Sequence, residues 1–187
     1  GVINYTEFSS TPMHRLEYTV APVWTNVNAR PGAAPSAGSG RLKVASFNVL
    51  NFFNGDGLGG GFPTSRGANT LSEYNRQRDK LVVALAGLDA DIVGLMEIEN
   101  DGGPNSAIAQ LTDALNTYLG TPGQYAFVDT GVIGTDEIRV AILYRPAVVT
   151  PDGAVAVDLN AINNRPTVMQ TFTEAASGKD LTVVVNH

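Results

Sequence analysis

Three polar side chains lie at or near the ends of predominantly apolar stretches of the sequence, namely Asn48, Glu97 and His187. A carboxylate such as Glu97 can hold a hard divalent cation, and an amide such as Asn48 can orient a carboxylate or a phosphate oxygen. The imidazole of His187 can donate a proton. Their spacing alone leaves simpler roles open: a turn-forming asparagine, a solvated carboxylate and a structural histidine.

Charged residues at the starts of two other apolar stretches could contact a phosphate or support the site. Arg165, just before Pro166, could clamp a phosphate oxygen or lie at the surface without a ligand. Asp136 and Arg139 begin the other stretch, where the acid could support a histidine or a metal ion, or the group could cap a hairpin. The glycine-rich segment 55–61 matches no Walker or dinucleotide motif, so no known phosphate-binding loop is predicted.

Composition limits the chemistry that these residues can perform. The 187 residues include no cysteine and two histidines, which excludes disulfides, thiolate zinc sites and cysteine nucleophiles and disfavours a multi-histidine metal site. A metal ion would therefore be held mainly by oxygen, as Mg²⁺ and Ca²⁺ are. The net charge of −6 argues against nucleic-acid binding by bulk charge, but it leaves open an enzyme whose local arginines and metal ion meet a phosphate. No apolar stretch is long enough for a membrane helix.

A strand–helix–strand unit is predicted to position Asn48 and Glu97. Leu42–Leu50 and Asp91–Glu97 have apolar residues on both faces, as inner strands do. Between them, Thr70 opens a capping box in front of a helix that ends near residue 87. Strands joined in this way are parallel, and ligands bind outside the carboxyl ends of parallel strands. We therefore expect Asn48 and Glu97 to face the same crevice.

The remaining pattern predicts one more helix and four more strands, so the fold class is α/β or α+β with a mixed sheet and flanking helices. The predicted helix is Ser106–Leu119, and the predicted strands are Tyr125–Asp129, Ile138–Tyr144, Thr167–Phe172 and Leu181–Asn186.

Residues 1–40 differ in composition from residues 41–187. They are predicted to form an extended arm, with Leu16–Val20 and residues 22–24 extended, followed by the Pro/Gly/Ser-rich linker Arg30–Gly40. The chain stops directly after its most hydrophobic predicted strand, so we expect a longer parent protein. No signal peptide opens the chain, so any such segment is expected to be removed or to lie upstream.

Five segments together resemble the ordered motifs of the endonuclease/exonuclease/phosphatase, or DNase I-like, superfamily. The resemblance covers about residues 41–187 and is closest to ExeM-type bacterial extracellular nucleases. It implies the amino-terminal part of the domain, which is the first half of a four-layer α/β sandwich. The segments are Val44–Phe52, Asp91–Asn100, Asp136–Pro146, Asn164–Phe172 and Val183–His187.

The resemblance also implies roles for individual residues. Glu97 would bind Mg²⁺ or Mn²⁺, with Ca²⁺ as an alternative, and Asn48 would orient that metal site or share in it. His187 would contact the scissile phosphate and assist proton transfer. Contacts to phosphate or substrate would come from Asn51, Asp136, Arg139 and Arg165.

The implied activity is metal-dependent hydrolysis of phosphodiester bonds in DNA or RNA by a secreted nuclease. The alternatives are a sphingomyelinase-like or inositol-phosphate-phosphatase-like hydrolase and a non-catalytic binding module on the same fold. In the superfamily, a second half that follows the position of His187 supplies an Asp-x-Asn segment and an Asp-His pair, and this sequence stops before that half. We therefore expect activity in the parent protein, completed by the missing carboxyl-terminal half, and not in this chain alone.

Overall fold

The computed structural model describes residues 1–23, 25, 36 and 38–187. The chain divides into two units, Gly1–Ala33 and Ala34–His187. Trp24 and most of the predicted linker Arg30–Gly40 lie outside the described residues. The domain boundary expected at residue 40 stays a prediction.

The first unit contains an antiparallel hairpin, formed by β1 (Val2–Phe8) and β2 (Thr11–Glu17). Of the stretch Leu16–Val20 that is expected to be extended, Leu16 and Glu17 lie in β2, which begins five residues before Leu16 and ends at Glu17. Tyr5 and His14 are register partners, and their rings are 5.2 Å apart. His14 is therefore engaged in a cross-strand ring contact.

The second unit contains a mixed four-stranded sheet of β3 (Val44–Phe52), β4 (Ile92–Glu99), β5 (Ala126–Phe127) and β6 (Ile138–Tyr144). Strands β3 and β4 are parallel, as the strand–helix–strand pattern predicts, and β6 runs antiparallel between β4 and β5. The helices are α1 (Leu71–Leu88) and α2 (Ala107–Leu119). The predicted α/β class with a mixed sheet and flanking helices is confirmed.

A second, antiparallel sheet follows, with β7 (Val149–Asp158), β8 (Thr167–Glu174) and β9 (Asp180–Val185) in that order. Strand β7 was not predicted from the sequence. It contains Pro151 and Gly153, and its pairing with β8 shifts register between Asp152 and Ala156. This bulge breaks the alternation that marks a strand in a sequence.

The two inner strands of the first sheet, β4 and β6, are buried on both faces. Strand β3, which the sequence predicts to be an inner strand, lies at the edge of the sheet and alternates between exposed and more buried residues. Val93, Leu95 and Leu143 pack in one cluster with the helices, whereas their neighbours Ile92 and Ile142 pack in a second cluster with the other sheet. The layers are therefore helices, mixed sheet and antiparallel sheet. Burial on both faces explains why the inner strands are continuously apolar in sequence.

The capping box predicted at α1 forms with one change. Thr70 Oγ1 accepts a hydrogen bond from the Glu73 N–H at 3.2 Å, and Glu73 Oε2 accepts one from the Asn69 N–H at 2.7 Å. The helix ends one residue after Gly87, where Asp89 adopts the left-handed conformation that closes many helices. Within the described part of the chain, no helix is long and apolar enough to cross a membrane.

The two sheets approach each other closely at Gly94 in β4 and Val185 in β9. A Cβ atom built on Gly94 would lie 2.9 Å from Val185 Cγ2, which is closer than real Cβ contacts come. Val185 is 6% exposed and its β-branched side chain is stiff, so it has little room to move. Glycine at position 94 therefore sets the spacing between the sheets.

We expect Gly94→Ala to lower the free energy of unfolding by about 1–3 kcal/mol, because the added methyl group overpacks the space between the sheets. Denaturant unfolding measures the change. Gly87→Ala is the matched control: nothing lies within 4 Å of its Cβ position, so it should be neutral or stabilising by up to about 1 kcal/mol. Equal effects of the two substitutions would contradict the close approach.

Candidate active site

Asn48 and Glu97 meet where the parallel pairing of β3 and β4 breaks. Asn48 is the register partner of Met96, and beyond this point the pairing is interrupted and resumes with a shifted register at Phe52 and Ile98. The pairing of β4 with β6 shifts register at the same place, between Leu95 and Ile98. The break coincides with positive φ angles at Leu50 (57°), Asn51 (48°) and Glu97 (64°). Such angles cost non-glycine residues about 1–3 kcal/mol each and persist only where the surroundings enforce them. The backbone is thus held in a conformation that aims the Glu97 side chain at the end of the sheet.

Two hydrogen bonds fix the Glu97 carboxylate, and a third orients the Asn48 amide that donates one of them. Asn48 Nδ2 donates to Glu97 Oε1 at 2.7 Å, and the Asn51 backbone N–H donates to Oε2 at 3.2 Å. The Leu50 N–H donates to Asn48 Oδ1 at 2.7 Å, which orients the amide. Asn48 therefore acts on Glu97 through its amide nitrogen, while its oxygen is occupied by the backbone.

Gln77 on α1 supports this kinked segment, a role that sequence analysis does not predict. Its Nε2 donates to the carbonyl oxygens of Val49 at 3.0 Å and Leu50 at 2.7 Å. A glutamine on a helix face looks like any solvated residue in a sequence. Its role becomes visible only when the helix is placed against the end of β3.

His187 reaches the same carboxylate from the second sheet. Its Nε2 lies 3.5 Å from Glu97 Oε1, with 27% of the histidine side chain and 18% of the glutamate side chain exposed. On the other side of the ring, Arg165 Nη1 lies 3.3 Å from His187 Nδ1. A guanidinium can only donate, so Nδ1 is the acceptor and the ring proton of the neutral imidazole is on Nε2, facing Glu97.

Arg165 is itself held by Asp136. Arg165 Nε lies 3.3 Å from Asp136 Oδ2, and Arg66 Nη1 lies 3.0 Å from Asp136 Oδ1. Burial raises the pKa of Asp136, but the Ile138 backbone N–H and the two guanidinium groups outweigh it and hold the pKa below its usual range. The ionised acid thus positions Arg165 against His187. Of the two open roles for Asp136, the structure favours support of the histidine, by way of Arg165.

Arg139 corrects an expectation. It was predicted to contact substrate, but its side chain is 1% exposed and donates to Thr130 Oγ1 at 3.1 Å and to the Asp101 carbonyl oxygen at 3.3 Å. Burial also lowers its pKa. Arg139 is a core residue of β6 and does not join the site. Asn51 does join it, through its backbone N–H.

A second carboxylate, Glu99, follows Glu97 by two residues and belongs to a different contact. Its Oε2 accepts a hydrogen bond from the Asn54 N–H at 2.9 Å. Burial raises the pKa of Glu99 to about 7, partly offset by that hydrogen bond. Of these two carboxylates, Glu97 is therefore the one that lies in the candidate active site.

Glu97 can contribute a carboxylate ligand to a divalent cation. Mg²⁺, for example, is commonly held by one or two carboxylates while it keeps several waters and takes the remaining oxygens from a phosphate substrate. Within the described ranges, no group of three or more His, Asp or Glu side chains is arranged to hold a metal ion. Asn48 orients Glu97 through its amide nitrogen. The choice among Mg²⁺, Mn²⁺ and Ca²⁺ and the share of Asn48 in the metal site stay predictions.

Comparison with known proteins gives structural similarity only. No family model matches the chain, and no curated protein matches its sequence. A crystal structure of D. rerio TDP2 humanised by 14 mutations is 18% identical over 76% of this chain and 48% of that one, with a TM-score of 0.46. The human Nocturnin catalytic domain with bound sulfate is 18% identical over 78% of this chain and 49% of that one, also with a TM-score of 0.46. The chain spans about half the length of these structures.

We expect His187 to be protonated on Nε2 in alkaline solution, where imidazoles are neutral, because Arg165 donates to Nδ1. Nitrogen-15 chemical shifts of the ring measure the tautomer directly. Arg165→Ala should produce a tautomer mixture at His187 and leave His14, which contacts Tyr5, unchanged. A ring protonated on Nδ1 in the unsubstituted protein would contradict the assignment.

Proposed function

We propose that the protein is a divalent-metal-dependent phosphodiester hydrolase of the endonuclease/exonuclease/phosphatase superfamily that acts on DNA. The observation that carries the proposal is the meeting of Asn48, Glu97 and His187 at one end of the two sheets. The five ordered sequence segments support the same conclusion, since these three residues occupy the motif positions. Because the chain spans about half the length of the structures that it matches, the activity is proposed for the complete natural polypeptide.

Each side chain at the candidate site has a separate role in the proposed hydrolysis of a phosphodiester. A divalent ion held by Glu97 would supply charge neutralisation at a phosphoryl oxygen. Asn48 keeps the carboxylate in place, and His187 presents the Nε2–H as a hydrogen-bond donor to the phosphate. Arg165 holds the imidazole in that orientation and adds a positive charge behind it. Activation of the attacking water is assigned to the carboxyl-terminal residues that the family resemblance implies.

The choice of DNA and of a secreted enzyme rests on the resemblance to extracellular nucleases. A sphingomyelinase-like or inositol-phosphate-phosphatase-like enzyme would use the same three residues and differ in its loops. Plasmid DNA, sphingomyelin and inositol phosphates, assayed in parallel, separate these substrates. Hydrolysis of the lipid or the inositol phosphate in preference to DNA would replace the proposed substrate and keep the proposed chemistry.

We expect Glu97→Gln to reduce Mg²⁺-dependent DNA hydrolysis by the complete polypeptide at least about 100-fold, because the amide keeps the shape but loses the charge that holds the cation. The matched control is Asp113→Asn, which removes one exposed carboxylate from α2 and should leave the rate unchanged. Undiminished hydrolysis by Glu97→Gln would overturn the proposed role. An unsubstituted polypeptide that hydrolyses no phosphodiester in Mg²⁺ would overturn the proposed function.

Metal binding can be tested on the 187-residue chain itself. We expect substoichiometric Mn²⁺ to broaden the NMR signals of the Asn48 side-chain amide, because that amide hydrogen-bonds to the ligand carboxylate. The control signal is the Asn116 amide, which is buried against Tyr125 and should stay sharp. Glu97→Gln should abolish the broadening, and broadening that survives the substitution would place the ion elsewhere.

A further inference from the structure

A groove lies where α1 passes over the kinked end of β3. Its volume is about 540 Å³, and its lining includes Leu50, Asn51, Arg66, Arg76 and Lys80. We call it the cationic groove. Of its nine lining residues, three carry a positive charge and one carries a negative charge, in a chain whose net charge is −6. A local excess of positive charge on an acidic protein calls for a structural or functional reason.

The cationic groove adjoins the candidate active site through a shared wall. Asn51 lines the groove and donates its backbone N–H to Glu97 Oε2 at 3.2 Å. Gly67 packs so closely on this wall that a Cβ atom there would lie 2.7 Å from the Asn51 carbonyl oxygen. A chain molecule bound with one phosphate at Glu97 can therefore continue along the groove.

Two of the three cations in the groove are not neutralised by the protein. Arg66 is paired with Asp136 and Glu137, at 3.0 Å each. Arg76 and Lys80 are exposed, and in the part of the chain that the structure describes neither has a carboxylate within 4.0 Å.

The one acid in the lining of the groove offsets only part of its positive charge. Glu73 keeps its negative charge while its carboxylate accepts a hydrogen bond from the Asn69 backbone N–H at 2.7 Å, so three cations and one acid leave the lining with a net charge of +2. Arg76 and Lys80 are four residues apart on α1, a spacing at which like charges repel and destabilise a helix. Arg78, on a different face of the same helix, shows the ordinary arrangement, since it pairs with Asp79 at 2.9 Å. The two unneutralised cations thus serve no evident purpose in holding the fold together.

We infer that the cationic groove binds the sugar–phosphate backbone of DNA, with Arg76 and Lys80 each contacting a phosphate that flanks the one at Glu97. The inference rests on the proposed function and deepens it, because it assigns the residues that favour a polyanionic strand. A substrate with a single phosphate would place that phosphate at Glu97 and leave the groove empty. The contacts are to phosphates, so they should add affinity without sequence preference.

The test is DNA binding by the 187-residue chain as a function of salt. A fluorescently labelled DNA duplex is titrated in EDTA, so that nothing is hydrolysed, and anisotropy reports the affinity. Each phosphate contact contributes about 0.9 to the slope of log K against log salt. We expect Arg76→Ala/Lys80→Ala to weaken binding at least about tenfold at low salt and to reduce the slope by about 1.8.

The matched control is Arg78→Ala/Lys179→Ala, which removes the same two charges outside the groove. Arg78 faces Asp79, and Lys179 lies in the turn before β9, at the opposite end of that strand from His187. A control variant that retains most of the DNA affinity and most of the salt slope would support DNA binding by the cationic groove. Absence of binding by the unsubstituted chain, an unchanged slope in the Arg76/Lys80 variant, or equal losses in both variants would overturn the inference.

A second measurement separates this inference from the proposed function. On the complete polypeptide, Arg76→Ala/Lys80→Ala should raise KM for DNA at least about tenfold and leave hydrolysis of bis(p-nitrophenyl) phosphate, a small diester, unchanged. Equal losses on both substrates would overturn the groove as a DNA contact while leaving the hydrolase in place. The unsubstituted protein could also hydrolyse neither substrate while the Arg76→Ala/Lys80→Ala variant loses DNA binding. That result would support the cationic groove as a DNA contact and overturn the proposed chemistry.

Discussion

The close approach of the two sheets at Gly94 and Val185 is the constraint on which the candidate site depends. Glu97 lies three residues after Gly94 in β4, and His187 lies two residues after Val185 in β9. At about 3.3 Å per residue, both side chains are carried roughly 7–10 Å beyond the contact toward the same end. A single glycine without a side chain thus brings together a carboxylate and an imidazole that are 90 residues apart in sequence.

The left-handed backbone at Leu50, Asn51 and Glu97 is the second requirement of the site. Regular strands would project successive side chains to opposite faces, and the two strands would keep their register. Here the register shifts between Asn48 and Phe52, and Gln77 and Asn48 hold the irregular segment by hydrogen bonds. The energy stored in these conformations is supplied by packing elsewhere, as is common where a fold positions reactive groups.

The sequence predicts the elements that follow a simple period and misses those that do not. The parallel strand pair and both helices follow from apolar spacing and capping residues. The bulged strand β7 has no such signature, and the β1–β2 hairpin was predicted only in part. For single residues, the sequence predicts that Asn48 and Glu97 face one crevice, because the carboxyl ends of parallel strands lie at the same edge of the sheet. It could not show that Arg139 is buried, because a charged residue at the start of a strand is exposed in most proteins.

The arrangement of charges decides which cations can meet a substrate. Arg165 appears in the sequence as a free phosphate clamp, but it lies between Asp136 and His187 with 19% of its side chain exposed. The Arg165 guanidinium is held between these two side chains and fixes the tautomer of the histidine. Arg66 is likewise paired with two carboxylates. The cations left facing solvent beside the site are Arg76 and Lys80, within the described residues of the groove. A net charge of −6 therefore does not describe the local field that an approaching polyanion meets at the groove.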